Sequence, residues 1–415
     1  MNEVRALIEA FDAATAARER CALATLVSVE GSSYRRPGAR MLVREGGAST
    51  GTISAGCLES DVIEHAKRVI KAGEAVLVEY DTASTGEEMA WGLGLGCNGV
   101  VRVLVEPLDA RSPYLAALRR SCETDEDVAP SKVATVYEHS PSRAGGEAAA
   151  VGIGSRLILD GRGEVIRVNL CGELARLIEE DLRASLIEEA SGVRVYEWGA
   201  GVDACAGVTE AGVTKVFVET LAPPVPLVVF GAGQDALPVI ELACRLGWRT
   251  EVVDTQARPA SRERFDAADL VTLARPEEVA GRVRVTPRTL ALLMTHNYAH
   301  DRELLKFLLA SPARYIGVMG PRKRTERMLR ELSEGDGEFH LEESDRSRLY
   351  APAGLDIGAN SPAEVALAIV AELAAFLAAR GGGMLRERRG SIHGRTGDGE
   401  GVPLLEAGAH TSALA

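Results

Sequence analysis

The sequence predicts an α/β protein: an N-terminal α+β domain followed by a C-terminal Rossmann-type, doubly wound parallel sheet. Two observations predict this fold class. In the second half of the chain, short apolar strands alternate with helical segments, as parallel βαβ units require. The first of these strands, Leu227 to Phe230, runs into a glycine-rich turn and an amphipathic helix. The first half mixes strands and helices without that alternation, which indicates α+β.

Length and composition are those of an ordinary globular chain. The 415 residues suffice for two to three domains, and 46% of them are hydrophobic. A formal charge of −13 argues against a nucleic-acid partner, which normally needs a basic surface. No apolar run is long enough for a membrane span, and the first residues lack a secretory signal. Seven scattered cysteines are typical of a reduced chain, so we expect a cytoplasmic protein.

The N-terminal domain is expected over residues 1–222. Its predicted strands cover residues 22–29, 41–43, 51–54, 75–80, 100–105 and 215–219, and its predicted helices lie at 2–18, 62–70, 115–120 and 174–189. The polar stretch 140–147 reads as a surface loop. The proline cluster at 223–226 is a stiff connector, and we place the domain boundary there.

Two cysteines in this domain lie in glycine-rich turns. Cys57 precedes an amphipathic helix, and Cys97 precedes an apolar strand. Glycine allows turns with positive φ and close approach of a ligand. A thiol at a helix N-terminus faces the positive end of the helix dipole, which favours the thiolate, a nucleophile and a soft metal ligand. Two interpretations stay open: small buried residues in tight turns, or a catalytic and metal-binding pair.

The clearest fold signal follows the connector. The strand leads into Gly231-Ala-Gly-Gln-Asp-Ala236, then a helix, then a second strand that ends at Asp254. An acidic residue about 20 positions after the glycines completes a dinucleotide-binding pattern. Gly231 permits the turn, Gly233 lets backbone N–H groups reach a pyrophosphate, and Asp254, at an exposed strand end, accepts from a ribose hydroxyl. The alternative is that the glycines serve only helix–strand packing.

Further strands at 269–273, 289–294 and 315–319 continue the alternation. Ligands of such sheets bind outside the carboxyl ends of the strands, which selects His296 after one strand and the basic helix start at 322–324 after the next. His296 and His300 leave a metal pair open, although hydrogen bonding or helix capping is favoured. Arg322 and Arg324 are candidates for a phosphate or only a solvated helix face.

The Rossmann-like domain is expected to end near residue 385. Ser361-Pro-Ala-Glu364 is a capping box with proline at the first helical position, and it predicts a last helix that runs to Arg380. Residues 386–415 are polar and glycine-rich, so we expect disorder there.

Several of these segments together resemble the XdhC/CoxI family. The N-terminal segments of the resemblance are Gly31-Ser-Ser-Tyr-Arg-Arg-Pro-Gly38, Ile53-Ser-Ala-Gly-Cys57-Leu-Glu59 and Gly96-Cys97-Asn-Gly99. Its Rossmann segments are Gly231-Ala-Gly-Gln-Asp235, Met294 to Asp301, Tyr315 to Gly320 and Gly354 to Gly358. The chain departs from the family at Ala55, where glycine is common, and at Gln234, where histidine is common.

Members of this family are accessory proteins of molybdenum hydroxylases such as xanthine dehydrogenase. The resemblance implies a chaperone, rather than a turnover enzyme, that binds the molybdenum cofactor as molybdopterin or its dinucleotide form. It also implies that the protein supports sulfuration with a cysteine desulfurase and delivers the cofactor to an apo-enzyme. A homodimer is left open.

The residues assigned to this function form a set with two ends. Cys57 and Cys97 supply a soft or nucleophilic thiol and the metal contact, and His296 is a further catalytic candidate. The cofactor-binding residues are expected to be Gly231, Gly233, Gln234, Asp235, Asp254, Arg322, Arg324, Arg35 and Arg36, with Arg40 as a further anion contact.

Two rival functions remain. A nicotinamide-dependent oxidoreductase would use the dinucleotide pattern with Asp254 and bind NAD(P), with His296 as its acid. A thiol-based sulfur carrier would hold a persulfide on Cys57 or Cys97 and have no affinity for the cofactor. Molybdenum and pterin in the purified protein would separate both from the chaperone.

Overall fold

The structure is a computed structural model, and it describes most of the chain in eleven stretches. These are residues 2–31, 33–54, 56–81, 99–124, 128–139, 151–185, 191–198, 201–203, 207–209, 212–335 and 342–387. The chain divides into two compact units, one built from Glu3–Pro223 and the other from Pro224–Arg388. The predicted loop at 140–147 and nearly all of the tail predicted at 386–415 lie outside the described residues.

In its described residues, the N-terminal unit consists of antiparallel strands and four helices. Its strands are β1 (Cys21–Gly31), β2 (Arg40–Arg44), β3 (Ser49–Gly51), β4 (Val76–Asp81), β5 (Gly99–Leu108), β6 (Ser131–His139), β7 (Arg156–Leu159), β8 (Val165–Val168), β9 (Gly192–Trp198), β10 (Gly201–Asp203), β11 (Gly207–Thr209) and β12 (Gly212–Leu221). Its helices are α1 (Asn2–Ala16), α2 (Glu59–Ala72), α3 (Pro113–Arg120) and α4 (Gly172–Ala184).

These strands form two five-stranded sheets and a short hairpin. The first sheet has the order β3-β2-β1-β5-β4, the second β8-β7-β6-β12-β9, and β10 pairs with β11. Helix α2 covers one face of the first sheet through Val62, Ala66 and Val69, and α4 covers one face of the second. Side chains from both sheets, among them Val27 and Phe217, share one buried cluster, so the sheets pack against each other.

The C-terminal unit is a parallel sheet with helices on both faces. Its strands are β13 (Pro226–Phe230), β14 (Arg249–Asp254), β15 (Leu270–Leu273), β16 (Leu290–Leu293), β17 (Tyr315–Val318) and β18 (Leu349–Tyr350). Its helices are α5 (Ala236–Arg245), α6 (Ser261–Arg264), α7 (Val279–Arg282), α8 (Tyr298–Ala310), α9 (Arg322–Gly335), α10 (Glu343–Ser347) and α11 (Pro362–Leu377).

Alternate residues of the first strand serve the two faces of this sheet. Leu227 and Val229 pack with α5 and α11, whereas Val228 and Phe230 pack with α8 and α9. The order β15-β14-β13-β16-β17-β18, with every pair parallel, is the doubly wound order of a Rossmann fold. The predicted fold class is therefore confirmed. In the described ranges no helix is both long and apolar enough to cross a bilayer.

Apart from β12, which contains the predicted strand 215–219, the second antiparallel sheet is the main part of the fold that sequence patterns do not predict. Its central strand β6 is buried along seven consecutive residues, so the polar side chains of Lys132 and Thr135 are buried together with apolar ones. Alternation of polar and apolar residues, the usual signal of a strand with one solvated face, is therefore absent.

Candidate functional site

The loops of the predicted thiol site leave one end of the first sheet. Gly31, where β1 ends, pairs with Gly99, where β5 begins, and Gly51, where β3 ends, pairs with Met41 near the start of β2. Because neighbouring strands run antiparallel, these ends lie on the same side of the sheet. Cys57 follows β3 there. Cys97, two positions before Gly99 in the sequence, lies outside the described residues.

Cys57 is an exposed free thiol, which excludes its interpretation as a small buried residue. The loop before it is held by the carboxylate of Glu59, the first residue of α2. Glu59 accepts hydrogen bonds from Thr52 Oγ1 at 2.6 Å, Ser54 N at 2.8 Å and Leu58 N at 3.2 Å. Burial favours the protonated carboxyl, but the hydrogen bonds from Ser54 and Thr52 outweigh it and lower the pKa of Glu59 to about 2.

Two of the predicted arginines lie in the loop between β1 and β2. Arg35 makes a two-pronged ion pair with Glu3, with N–O distances of 3.0 and 2.6 Å. The hydrogen bond from Arg35 to Glu3 raises the pKa of Arg35, and the charge of Glu59 adds a smaller contribution. Arg35 is thus within electrostatic reach of the Cys57 loop. Arg36, the next residue, is exposed.

Arg40 is not a surface anion contact, and this expectation is wrong. Its guanidinium is buried and pairs with the buried carboxylate of Glu219. Tyr114 joins both groups, because its hydroxyl accepts from Arg40 Nε at 3.1 Å and donates to Glu219 at 2.7 Å. Arg156 stacks over the Tyr114 ring at 4.2 Å and pairs with Glu106. Arg40 therefore serves the core of the N-terminal unit.

The second candidate site lies at the carboxyl edge of the parallel sheet, where the first and fourth strands of the Rossmann order are neighbours. Ligands of open parallel sheets bind at such a switch point. Gly231, directly after β13, has φ 130°, and a Cβ there would lie 2.3 Å from the carbonyl oxygen of Met294 after β16. Only glycine lets the two strand ends approach this closely.

The glycine loop contains a carboxylate–imidazole pair. Asp235 Oδ2 lies 2.7 Å from Nε2 of His296, so the loop after β13 and the segment after β16 are directly joined. A Cβ on Gly233 would lie 2.4 Å from Asp235 Oδ1, which shows that this carboxylate fills the space above Gly233. His296 itself is mostly exposed and has φ 57°, which is uncommon outside glycine. Gln234 is exposed beside them.

The segment around His296 is held by its neighbours. Asn297 caps α8 by accepting from the N–H groups of Ala299 and His300. His300 Nδ1 lies 3.1 Å from Thr255 Oγ1 after β14, so the two histidines face different partners. In the described part of the chain no group of three or more potential ligands is placed to hold a metal ion. The contacts shown for these two histidines are hydrogen bonds to Asp235 and Thr255.

The two predicted arginines at the start of α9 have different environments. Arg324 makes an ion pair with the buried Asp301 at 2.7 Å, and Asp301 also accepts from Thr295 Oγ1 at 2.6 Å. Arg324 thus ties α9 to the beginning of α8. Arg322 is exposed at the helix N-terminus, and its assignment to an anion stays a prediction.

The expectation that Asp254 lies at an exposed strand end is wrong. Its side chain is 1% exposed, and its oxygens accept from Gln256 N at 2.9 Å, Ser261 Oγ at 2.6 Å and Arg258 Nε at 3.1 Å. Burial alone would favour the neutral carboxyl, but the hydrogen bonds, led by that from Ser261, lower the pKa of Asp254. The carboxylate orders the turn after β14. A ribose hydroxyl that donated to Asp254 would have to share this carboxylate with the donors of the turn.

The structure adds two arginines that the motif analysis did not single out. Arg264 Nη1 donates to the carbonyl of Ala232 in the glycine loop at 3.1 Å, and Arg258 is held by Asp254 with its side chain 45% exposed. Both follow the second strand of the Rossmann unit, where a basic side chain can bind a phosphate group. The signal available in the sequence was their position just after Asp254. Glu59 was likewise present in the Cys57 motif, but its role requires the folded loop.

Two family models match the chain. Residues 14–81 match the XdhC and CoxI family, and residues 227–373 match the XdhC Rossmann domain. A Bacillus subtilis protein described as a probable subunit of xanthine dehydrogenase is 28% identical over 363 residues, which are 88% of this chain and 95% of that protein.

A shorter match and a solved structure add to this relationship. The molybdenum cofactor insertion chaperone PaoD of Escherichia coli is 33% identical over 99 residues, which cover 24% of this chain and 30% of that protein. A crystal structure of a xanthine dehydrogenase from Bacillus halodurans is 27% identical, with a TM-score of 0.67, over 90% of this chain and 96% of that one. The chain belongs to the XdhC and CoxI family.

Proposed function

We propose that this protein is an accessory protein of a molybdenum hydroxylase of the xanthine dehydrogenase type. In this proposal it binds the molybdenum cofactor as cargo, supports its sulfuration and inserts it into the apo-enzyme. The observation that carries the proposal is the exposed Cys57, which the loop around Glu59 presents at the sheet end. Membership of the XdhC and CoxI family and the name of the relative PaoD support the same function.

The chemistry of the available side chains fits such a cargo. The metal of the cofactor is held by sulfur, and thiolates are among the soft ligands that such centres accept. Among the described residues, Cys57 is the thiol that we assign to this contact. We propose that Cys97 also contacts the metal-bearing end of the cofactor. Arg35 is close enough to Glu59 to feel its charge, Arg36 is exposed next to it in the sequence, and we assign both to anion contacts.

Phosphate groups call for cations, and the C-terminal unit offers several at one sheet edge. Arg264 contacts the glycine loop, and Arg258 is paired with Asp254 at the end of β14. We assign both, with Arg322, to anion contacts. Guanidinium groups match phosphate oxygens with paired hydrogen bonds. Gly231, Gly233, Asp235 and His296 are proposed to line the same site.

The proposed partners follow from this role. A cysteine desulfurase supplies sulfur, and the apo-hydroxylase receives the finished cofactor. Co-purification of each partner with the full-length protein, followed by mass spectrometry, tests these contacts. Sedimentation of the purified chain tests whether a homodimer forms.

The metal and pterin content of the purified protein tests the function. We expect protein from a molybdate-supplied host to contain both, with molybdenum measured by mass spectrometry and pterin by fluorescence after oxidation. Cys57→Ser should lose most of the molybdenum. Cys122→Ser, a change at a half-exposed cysteine of the same unit, should keep it. Wild-type protein without molybdenum or pterin would refute cofactor binding, whereas equal loading of both variants would refute only the role of Cys57.

A further inference from the structure

The glycine loop of the C-terminal unit differs from a pyrophosphate-binding loop at one point. In dinucleotide-binding folds the second glycine leaves room for the pyrophosphate to approach the backbone at the helix N-terminus. Here that glycine is Gly233, and the room above it is taken by Oδ1 of Asp235, 2.4 Å from where a Cβ would lie. The glycine accommodates a carboxylate of its own loop.

A second contact keeps this carboxylate in place. Asp235 Oδ2 is 2.7 Å from Nε2 of His296, and Asp235 is largely buried whereas His296 is mostly exposed. Among the described residues, the side chain makes no capping hydrogen bond to the backbone of α5, the helix that it precedes. It is therefore held across the switch point of the sheet and not by an ordinary helix cap.

Charge adds to the steric effect. A negative side chain at the N-terminus of α5 already interacts with the positive end of the helix dipole. A pyrophosphate at this place would meet a like charge at short range in a partly buried site, where screening by water is weak. Both the volume and the charge of Asp235 oppose a dinucleotide.

We propose that Asp235 is a specificity determinant that excludes the pyrophosphate of dinucleotides from this glycine loop. The ligand of the loop has no diphosphate at this position, and the carboxylate accepts hydrogen bonds from ligand N–H or O–H groups instead. This inference concerns the C-terminal unit alone, and where it is combined with the proposed function it excludes the diphosphate of a dinucleotide form of the cofactor from this loop. It predicts that NAD and NADP are poor ligands despite the Rossmann order of the strands.

Titration calorimetry with NAD and NADP on the full-length protein tests the inference. We expect no wild-type binding tighter than about 1 mM and a gain of at least about tenfold in affinity for Asp235→Ala. Asp235→Asn keeps the volume and removes the charge, so it should gain less. Glu241→Gln removes one charge from an exposed position of α5 and should change nothing.

Thermal unfolding and far-ultraviolet circular dichroism establish that each variant is folded, and Asp235→Asn serves if Asp235→Ala is not. The inference is overturned if the wild type binds either dinucleotide more tightly than about 1 mM. It is also overturned if the folded variants bind no better than the wild type. Neither result bears on molybdenum loading, so the proposed function stands or falls separately.

Discussion

At the scale of single residues, the thiol loop depends on one carboxylate. Glu59 accepts hydrogen bonds from side chains and backbone N–H groups on both sides of Cys57. In Glu59→Gln, one of the two acceptor oxygens becomes a donor that faces other donors. We expect faster amide hydrogen exchange at Ser54 and Leu58 and lower molybdenum loading. Glu64→Gln on the exposed face of α2 is the control. Unchanged exchange at Ser54 and Leu58 would show that Glu59 does not hold the loop.

The same carboxylate predicts a pH dependence with a definite sign. The pKa of Glu59 is lowered from its ordinary 4.5 to about 2. A carboxyl with a lowered pKa in the folded state stabilises that state above its ordinary pKa, and this stabilisation is lost as the pH falls towards the folded value. Protection of the Ser54 and Leu58 amides, corrected for intrinsic exchange, should therefore decrease from pH 4.5 to pH 2. Glu59→Gln should show no such decrease, and a parallel decrease in that variant would contradict the assignment.

Asp254 belongs to the dinucleotide-binding pattern, but its side chain has a structural role in the fold. Because its buried carboxylate orders the turn after β14, Asp254→Ala leaves the N–H groups of Gln256 and Arg258 without their acceptor. We expect a loss of about 1–3 kcal/mol in the free energy of local opening, measured by hydrogen exchange over residues 254–261. Asp266→Ala, at an exposed position nearby, should stay within about 0.5 kcal/mol. Equal exchange in the two variants would show that Asp254 does not order this turn, and would leave it a role in ligand binding alone.

At the scale of secondary structure elements, the C-terminal unit was more predictable than the N-terminal one. Strands β13, β16 and β17 are short apolar runs followed by turns or helices, so each carries a local signal. The second antiparallel sheet has weaker signals, because its central strand β6 buries polar side chains such as Lys132. Their environment is set by distant strands, which local patterns do not reveal.

The site residues also differ in how far the sequence predicts their roles. The position of His296 at a strand end follows from the rule for parallel sheets, but its partner Asp235 is 61 positions away and becomes apparent only in the fold. Arg40 appeared equivalent to Arg35 and Arg36 in sequence, whereas the structure buries it against Glu219. The sequence thus locates the loops of a site better than it assigns individual charges within them.

The buried cluster around Arg40 also gives a prediction at this scale. Arg40→Ala leaves the buried carboxylate of Glu219 without its cation, and removal of one partner from a buried pair costs about 3–5 kcal/mol. We expect a correspondingly lower stability of the N-terminal unit in urea unfolding monitored by hydrogen exchange in β1 and β12. Arg68→Ala, at an exposed position of α2, should change stability by less than about 0.5 kcal/mol. A loss of the same small size for Arg40→Ala would refute a structural role for this pair.

At the scale of the whole molecule, the chain combines a thiol loop on an antiparallel sheet with a Rossmann-type unit. Both family models match, one in each unit. In our proposals, the carboxylate in the glycine loop excludes the pyrophosphate of a nicotinamide dinucleotide, and the exposed thiol of Cys57 contacts a metal-bearing cargo. The proposed function is accordingly to carry a cofactor for another enzyme and not to turn over a substrate.

Activation of an apo-molybdenum hydroxylase tests this central claim most directly. Apo-enzyme is mixed with molybdenum cofactor, with and without the purified protein, and hydroxylase activity is followed over time. We predict strong stimulation by the wild type and by Cys122→Ser, little by Cys57→Ser, and no reduction of NAD or NADP by the protein alone. Failure of the wild type to stimulate activation, or substrate-dependent reduction of NAD or NADP by the isolated protein, would contradict the account.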